Sequence, residues 1–427
     1  MTVSKRPSRS GSTARGGRAP TLPTKASKSQ TAALKDGNAP SKPTAKKSEP
    51  DPFKEPIRHL MMFIDGTWVS ATNETELDNN FSNIYKLAVA INTNADDKKV
   101  RQYEAQIGFY LAGIGSGTRK YSEGIRATDL PYDIAHVYTN ICLNYIPDMG
   151  HGAGDKIYIF GFSRGAFIAR VVATLIARFG LLKQDHLSYF PELWKCVYRT
   201  PDEIGTFKKA HCHSLPNDSQ DVKIEFLGLF DTVLGTYDGE NKNEISKLFE
   251  NNDLPRNIER CIHVLAADED RTVFTPVIWG GVEDVNQQTL EQIWMPGVHT
   301  DIGGGYTNKL LGDMSLLTIL NRLRHYTSVG IDDVSFKKLQ TSIHDGAPTD
   351  VMIHYEVKKL AGLGPDIYER QTRAIGVDAE NRSRQFASEG IQILDQNRVY
   401  RASLGKYVNF SAKEFPIQNV LDIGLLK

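Results

Sequence analysis

The sequence predicts an α/β fold in which helices cover both faces of a mostly parallel sheet, with a small accessory region at the C-terminus. Three observations support this prediction. Short apolar runs recur along the chain, and most of them end in glycine or aspartate. Amphipathic or alanine-rich segments separate these runs. The spacing between consecutive runs is long enough for a helical crossover, which parallel strands require.

Charge is distributed unevenly along the 427 residues, although the formal net charge is zero. Residues 1–55 contain 12 Lys or Arg and 4 Asp or Glu, a net charge of +8, so the remaining residues carry −8. Because the first segment has almost no large apolar side chains, we expect a disordered basic leader. This leader could act as an arm toward an anionic membrane or a secretion machine, or serve only as a solvated extension. The rest of the chain has no basic surplus, which argues against a nucleic-acid partner.

No targeting or membrane segment is evident in the sequence. The first 30 residues contain no apolar core of a signal peptide, and no stretch reaches 18 apolar residues. The four cysteines are far apart, as is typical of reduced thiols rather than of a disulfide scaffold. We therefore expect a protein that is cytoplasmic where it is made. We divide it into the leader (1–55), an α/β domain (56–330) and an accessory α/β tail (331–427).

The first strand is predicted at Ile57–Ile64, an apolar run suited to burial on both faces of a sheet. It ends at Asp65-Gly66-Thr67-Trp68, on the edge where open α/β sheets carry their sites. The N–H of Gly66 or Thr67 could bind an oxyanion there, or Asp65 could simply cap a turn.

A glycine-rich loop and two helices are predicted between the first strand and the serine motif. The helices are Phe81–Asn92 and Asp129–Tyr145, and a strand at Gln102–Leu111 lies between them. The strand leads into Gly113–Thr118, which lacks both the G-x-G-x-x-G spacing and a Gly-Lys-Ser/Thr ending. We interpret this loop as a rim of the site, and the sequence predicts no nucleotide or other cofactor.

Glycines frame a serine near the middle of the chain. The run Lys156–Phe160 is typical of a strand, Gly161-Phe162-Ser163-Arg164-Gly165 follows it, and an alanine-rich helix is predicted at Ala166–Arg178. This order indicates a nucleophile elbow, whose turn lifts the serine hydroxyl out of the sheet and exposes it. The N–H of Arg164, at the helix N-terminus, could then bind an oxyanion. The alternative is an ordinary Gly-Ser turn in a βα unit.

Polar connections and apolar strands alternate after this helix. The predicted elements are strands at Val222–Phe230, at Cys261–Ala267 and up to Met295, a polar insertion at 236–256 and a helix at Asp313–Tyr326. Residues 183–220 read as an irregular polar loop, in which His211-Cys212-His213 could bind metal or lie on the surface; we predict no metal site. The acidic run Asp268–Arg271 could hold a cation, or Asp268 and Arg271 could tie the loop together.

Three polar residues follow predicted strands in the order Ser163, Asp231 and His299, which is the order of serine hydrolases with an α/β sheet. Adjacent strand ends bring residues that are distant in sequence within hydrogen-bond reach. A serine hydroxyl needs an imidazole to take its proton, and the imidazole needs a carboxylate to fix its tautomer. We therefore predict an α/β-hydrolase-like fold with this triad. Asp301 and Asp65 are alternative acids.

Four motifs resemble, in the same order, those of a known family. They are Phe63–Trp68, the elbow Gly161–Ala166 with Arg170 following, Phe230–Val233 and Pro296–Tyr306. Over about residues 57–330 the chain resembles the uncharacterised α/β-hydrolase domain family that includes the type VI secretion phospholipase effectors. The resemblance implies a fold built around Ser163, Asp231 and His299, and hydrolysis of membrane phospholipids.

We therefore expect a serine hydrolase that cleaves carboxylic esters through an acyl-enzyme on Ser163, as a phospholipase or lipase-type effector. The alternatives are an esterase or thioesterase for a soluble substrate and a non-catalytic scaffold that keeps the fold. The resemblance further implies phospholipid as the substrate, peripheral contact with a membrane, export by a type VI route, and secretion machinery and an immunity protein as partners.

Overall fold

A computed structural model describes residues 57–67, 81–91, 104–113, 130–148, 154–214, 222–235, 240–345, 351–354, 371, 373, 382–388 and 417–418. The predicted leader lies outside these residues, as do most of the predicted tail and positions 114–118 of the glycine-rich loop. Within the described part, no helix combines the length and the apolar character that crossing a membrane requires.

Eight of the described strands form one sheet. They are β1 (Ile57–Ile64), β2 (Glu104–Leu111), β3 (Lys156–Phe162), β4 (Ile224–Phe230), β6 (Arg260–Ala266), β8 (Thr289–Met295), β9 (Gln385–Ser388) and β10 (Ile417–Gln418). Their order is β10-β9-β8-β6-β4-β3-β1-β2, and each neighbouring pair is parallel. Two short strands, β5 (Asp253–Leu254) and β7 (Gly281–Val282), pair separately. The prediction of an α/β fold with a parallel sheet is confirmed.

Helices pack on both faces of this sheet. They are α1 (Asn83–Ala90), α2 (Leu130–Asn144), α3 (Arg164–Phe179), α4 (Phe190–Lys195), α5 (Pro201–His211), α6 (Lys242–Leu248), α7 (His299–Gly303), α8 (Leu310–Tyr326) and α9 (Asp333–His344). Side chains alternate along β1, so that Leu60 and Met62 join a hydrophobic cluster with α2 and α3. Met61 and Phe63 join the cluster on the opposite face with α1 and α8. Burial on both faces explains why the central strands are almost continuously apolar.

The segment predicted as an irregular loop at 183–220 contains helices, so that prediction is wrong for its described part. A 3₁₀ helix at Gln184–Tyr189 is followed by α4 and α5. At the start of α5, the Thr200 side chain accepts from the Glu203 N–H while the Glu203 carboxylate accepts from the Thr200 N–H. This reciprocal cap, with Pro201 in the first turn, stabilises a helix that buries Phe207.

The C-terminal region contributes strand β9 to the main sheet. β9 pairs with β8, with Gln385 opposite Gln292. The Trp294 side chain donates from Nε1 to Oε1 of Gln385 at 2.8 Å. Residues that the sequence assigned to an accessory tail therefore extend the sheet beside the strand that leads to His299.

Candidate active site

Three of the predicted site residues meet at the carboxyl edge of the sheet. Ser163 follows β3, Asp231 follows β4, and His299 begins α7 after β8. His299 Nε2 lies 2.8 Å from Ser163 Oγ, and His299 Nδ1 lies 2.6 Å from Asp231 Oδ2. The structure thus links the three side chains by hydrogen bonds. Nε2 of His299 faces the serine hydroxyl, as a base would, and Nδ1 faces the carboxylate that would fix the tautomer.

The backbone at Ser163 is strained in the way that a strand-to-helix elbow demands. Its φ of 60° and ψ of −125° lie in a region that L-residues rarely adopt. A Cβ at Gly161 would lie 2.5 Å from Ala166 Cα, and a Cβ at Gly165 would lie 2.3 Å from the Ile64 carbonyl oxygen. Both glycines are therefore required because strand and helix approach so closely.

The expectation of an exposed Ser163 hydroxyl is not met, since the residue is only 5% exposed. His299 contacts the hydroxyl, and the loop after β1 lies against the same side chain. A Cβ placed at Gly66 would come within 3.3 Å of Ser163 Cβ. The serine is thus enclosed by the residues that would act with it.

Asp231 is fully buried, and its carboxylate makes four hydrogen bonds to three residues. Its Oδ2 contacts His299, and its Oδ1 accepts from the Ala266 N–H at 3.0 Å. Arg373 donates to Oδ1 at 2.6 Å and to Oδ2 at 2.9 Å. Burial raises the pKa of Asp231, but the charge of Arg373 and the His299 hydrogen bond outweigh that effect and hold the pKa well below its ordinary value. The carboxylate is therefore ionised at neutral pH.

Sequence reasoning missed Arg373. This arginine lies in the C-terminal region, which carries no motif, and its only sequence signal is its charge. The side chain is almost completely buried and donates to two backbone carbonyls, those of Ala266 and Phe274, as well as to Asp231. Nearby, the Gln371 N–H donates to the Asp270 carbonyl at 2.7 Å.

The start of α7 is held in place by Glu269, a buried residue of the acidic run. Glu269 Oε2 accepts from the His299 N–H at 3.1 Å, and Arg271 binds both carboxylate oxygens of Glu269. Burial raises the pKa of Glu269, but its hydrogen bonds and ion pair with Arg271 outweigh this and hold it below the ordinary value. Asp268, predicted to tie the loop, accepts from the Gly297 N–H.

The two alternative acids bind other groups. Asp301 caps the start of α7 by accepting from the Val298 N–H, and its Oδ1 lies 2.6 Å from Nδ1 of His354. Asp65 accepts from the side-chain hydroxyls of Ser82 and Tyr110, each at 2.6 Å. Burial raises the pKa of both carboxyls. Of the three candidates, the contact to His299 is made by Asp231.

The three predicted oxyanion donors differ in their surroundings. Arg164 is the first residue of α3 and follows Ser163 directly, which places its N–H at the helix N-terminus beside the serine. The Gly66 N–H donates to Asp65 Oδ1 at 2.7 Å and is therefore engaged elsewhere. Thr67 is the next residue of the same loop. This loop packs closely against Gly113, where a Cβ would lie 1.5 Å from the Gly66 carbonyl oxygen. Arg164 and Thr67 therefore remain the candidate donors.

Comparison with known proteins gives matches of limited extent to individual proteins. The chain is 28% identical over 238 residues to the uncharacterized protein YEL023C of Saccharomyces cerevisiae, covering 51% of this chain and 32% of that protein. An uncharacterized protein from Pseudomonas aeruginosa aligns at 16% identity with a TM-score of 0.41, covering 67% of this chain and 48% of that one. The Tle1 effector bound to the VgrG spike of the type VI secretion system aligns at 20% identity with a TM-score of 0.31, covering 59% and 52%. The chain spans about half or less of the length of each.

A family model gives a more extensive match. It covers residues 58–322, well over half of the 427-residue chain, and describes the catalytic domain of Tle1-like phospholipase effectors of the type VI secretion system. The matched range contains β1, β3, β4 and β8, whose ends carry the loop after β1, Ser163, Asp231 and His299. The chain therefore belongs to the family of Tle1-like phospholipase effector catalytic domains.

Proposed function

We propose that this protein is a serine hydrolase that cleaves phospholipid esters through an acyl-enzyme on Ser163. The observation that carries the proposal is the contact chain from Asp231 through His299 to Ser163, with distances of 2.6 and 2.8 Å. A positioned imidazole and a buried carboxylate are what a serine hydroxyl needs to become a nucleophile. Membership of the family supports the choice of phospholipid as the ester.

The proposed reaction has two halves. Ser163 Oγ attacks the ester carbonyl carbon while His299 Nε2 takes the hydroxyl proton, and the N–H groups of Arg164 and Thr67 bind the resulting oxyanion. Collapse breaks the bond to the alcohol, which leaves with the proton from His299. Water then attacks the acyl-enzyme with His299 again as the base, the bond to Ser163 Oγ breaks as His299 returns the proton to that oxygen, and the fatty acid is released. Asp231 holds the Nδ1–H of His299 and stabilises the imidazolium in both halves.

The proposal extends to delivery and partners. The family is one of type VI secretion effectors, so we propose export by that route, contact with its spike machinery and a cognate immunity protein in the producing cell. Contact with lipid would then be peripheral and would take place at the carboxyl edge of the sheet, where Ser163 lies.

Replacement of Ser163 by alanine tests the mechanism. Ser163→Ala removes the nucleophile, and we expect the rate to fall by at least about three orders of magnitude, because only oxyanion binding remains. Ser246→Ala, at an exposed serine of α6, is the matched control and should retain full activity. The readouts are labelling by a fluorophosphonate probe, hydrolysis of a short-chain soluble ester, and fatty acid release from anionic and neutral phospholipid liposomes.

Each outcome separates the candidates. Undiminished turnover by folded Ser163→Ala protein contradicts the serine mechanism. Hydrolysis of the soluble ester without fatty acid release from either liposome replaces the phospholipase with an esterase or thioesterase. A protein that neither reacts with the probe nor hydrolyses any ester is a scaffold.

A further inference from the structure

The acid of the triad is bound by an arginine that lies outside the family-matched range of 58–322. The Arg373 guanidinium donates two hydrogen bonds to the Asp231 carboxylate, from Nη1 to Oδ1 and from Nη2 to Oδ2. Such a two-point contact fixes the plane of a carboxylate as well as its position, which a single point charge cannot do.

The contacts of Asp231 leave its carboxylate no freedom to rotate. Oδ1 is held by the Ala266 N–H and by Arg373, while Oδ2 is shared between Arg373 and His299. The contacts with Arg373 and with the Ala266 N–H therefore determine which carboxylate oxygen faces His299. A rotation that broke the Nδ1 contact would have to break the arginine contacts first.

Arg373 also reaches the histidine by a second path. Its Nη2 donates to the Phe274 carbonyl, and the Phe274 ring lies 4.7 Å from the His299 ring, centroid to centroid. Phe162 also packs on that imidazole, with its ring centroid 4.8 Å away. Arg373 thus supports the Asp231 carboxylate, which binds the His299 imidazole, and also Phe274, whose ring packs on that imidazole.

We propose that Arg373 is a positioning residue of the triad, which fixes the Asp231 carboxylate for His299 and balances the buried negative charge of that carboxylate. The proposal rests on the proposed function, because it assigns Arg373 a role in the same Ser163 chemistry. It also means that the catalytic site requires a residue from beyond the family-matched range.

The other charged and titratable groups around the pair do not account for this role. His263 is close to Asp231, and burial lowers its pKa to about 3, so its imidazole is neutral at neutral pH. Glu269 contacts the His299 N–H but is already neutralised by its ion pair with Arg271. Among the described residues, Arg373 is the cation hydrogen-bonded to the Asp231 carboxylate.

The sign of the expected pH effect follows from the charge. With Arg373 present, the unprotonated state of the Asp231–His299 pair has its negative charge balanced. Without the cation, that state carries an unbalanced buried charge, and proton uptake by the pair is favoured. The acid limb of kcat/KM should therefore move to higher pH when the charge of residue 373 is removed.

Two substitutions at this position separate charge from geometry. Arg373→Met keeps length without charge, and its acid limb should lie about one pH unit higher than that of the wild type. Arg373→Lys keeps the charge but cannot make the two-point contact. Its acid limb should stay in place while kcat falls roughly tenfold or more with little change in KM, because Asp231 is held less well and residue 373 does not touch substrate.

The matched control is Arg322→Met. Arg322 is a fully buried arginine of α8 whose ion pair is with Glu291 and which does not contact the triad. Its loss should lower the melting temperature without moving the acid limb. All rates are measured on the soluble short-chain ester in the full chain and are divided by the fraction of sites that react with the fluorophosphonate probe.

The outcomes distinguish this proposal from the proposed function. If the wild type reacts with the probe and Ser163→Ala is inactive, the serine mechanism stands. An Arg373→Met acid limb that coincides with the wild type then overturns the role of Arg373 in balancing the charge of Asp231. Should Arg373→Met fail to fold, an Arg373→Lys protein with wild-type kcat overturns the positioning role instead. If Ser163→Ala retains activity, the proposed function fails first.

Discussion

At the scale of single residues, three aspartates are candidates for the carboxylate that orients His299, and each binds different partners. Asp231 contacts His299, Asp301 contacts His354, and Asp65 accepts from Ser82 and Tyr110. The sequence favoured Asp231 because it follows a predicted strand, although Asp65 also follows one. The side chains that occupy the other two carboxylates lie far away in sequence, so their presence could not be predicted.

Substitution of these acids by asparagine should give opposite results. Asp231→Asn removes the charge that stabilises the imidazolium, and we expect kcat on a soluble ester to fall by about three to four orders of magnitude. Asp301→Asn can still cap α7, so its kcat should stay within about tenfold of the wild type. Because Asp231→Asn also leaves Arg373 without its counter-charge, rates are compared per folded molecule. A crippled Asp301→Asn protein beside a mildly affected Asp231→Asn protein would reassign the acid.

At the scale of elements, the strands that carry the site were predictable, but β9 and the helices between 184 and 211 were not. β1, β3, β4 and β6 are buried on both faces, so apolar side chains dominate each of them, and β8 ends in the apolar run Ile293–Met295. β9 gives no such signal, since its ends are Gln385, which accepts from the Trp294 indole N–H, and the buried Ser388. The helices between 184 and 211 were missed because the polar composition hid the reciprocal cap at Thr200.

The junction between α3 and β1 should be intolerant of one added methyl group. At Gly165, a Cβ would meet the carbonyl oxygens of Ile64 and Asp65 at 2.3 and 2.4 Å, and backbone atoms cannot yield as a side chain would. Gly165→Ala should therefore push α3 away from the loop after β1, lower stability by roughly 1–3 kcal/mol and reduce the ester rate at least tenfold.

The matched control for this substitution is Gly205→Ala in α5. A Cβ at Gly205 has no atom within 4 Å, so alanine should stabilise the helix by about 0.5–1 kcal/mol with no effect on the rate. Thermal melts and ester hydrolysis compare the two proteins. Equal melting temperatures and equal rates would show that the close approach at Gly165 has no consequence.

At the scale of the whole molecule, the site is built from the matched domain and from the region after it. Ser163, Asp231 and His299 were predictable because each follows a strand and because one parallel sheet gathers strand ends at one edge. Arg373 was not, because only the folded chain shows that its guanidinium reaches Asp231. A lone arginine in a segment without a motif has no pattern that would mark it.

The basic leader offers a test at the same scale. We predict that a chain beginning at Pro56 melts at the same temperature as the full chain and hydrolyses a soluble short-chain ester at the same rate. On anionic liposomes at low salt, the full chain should be faster, because the +8 leader is attracted to the surface, and added salt should remove the advantage. A large loss of melting temperature or ester rate in the shorter chain would contradict a dispensable leader.

The order in which the chain is made gives the Arg373 contact a further consequence. A ribosome adds about 5–20 residues per second, so His299 is synthesised roughly 4–15 s before Arg373. During that interval the nascent polypeptide contains Ser163, Asp231 and His299, but Asp231 lacks the arginine that binds it in the folded protein. On our proposal, an enzyme that attacks membranes is thereby kept weak while it is still attached to the translation machinery of the cell that makes it.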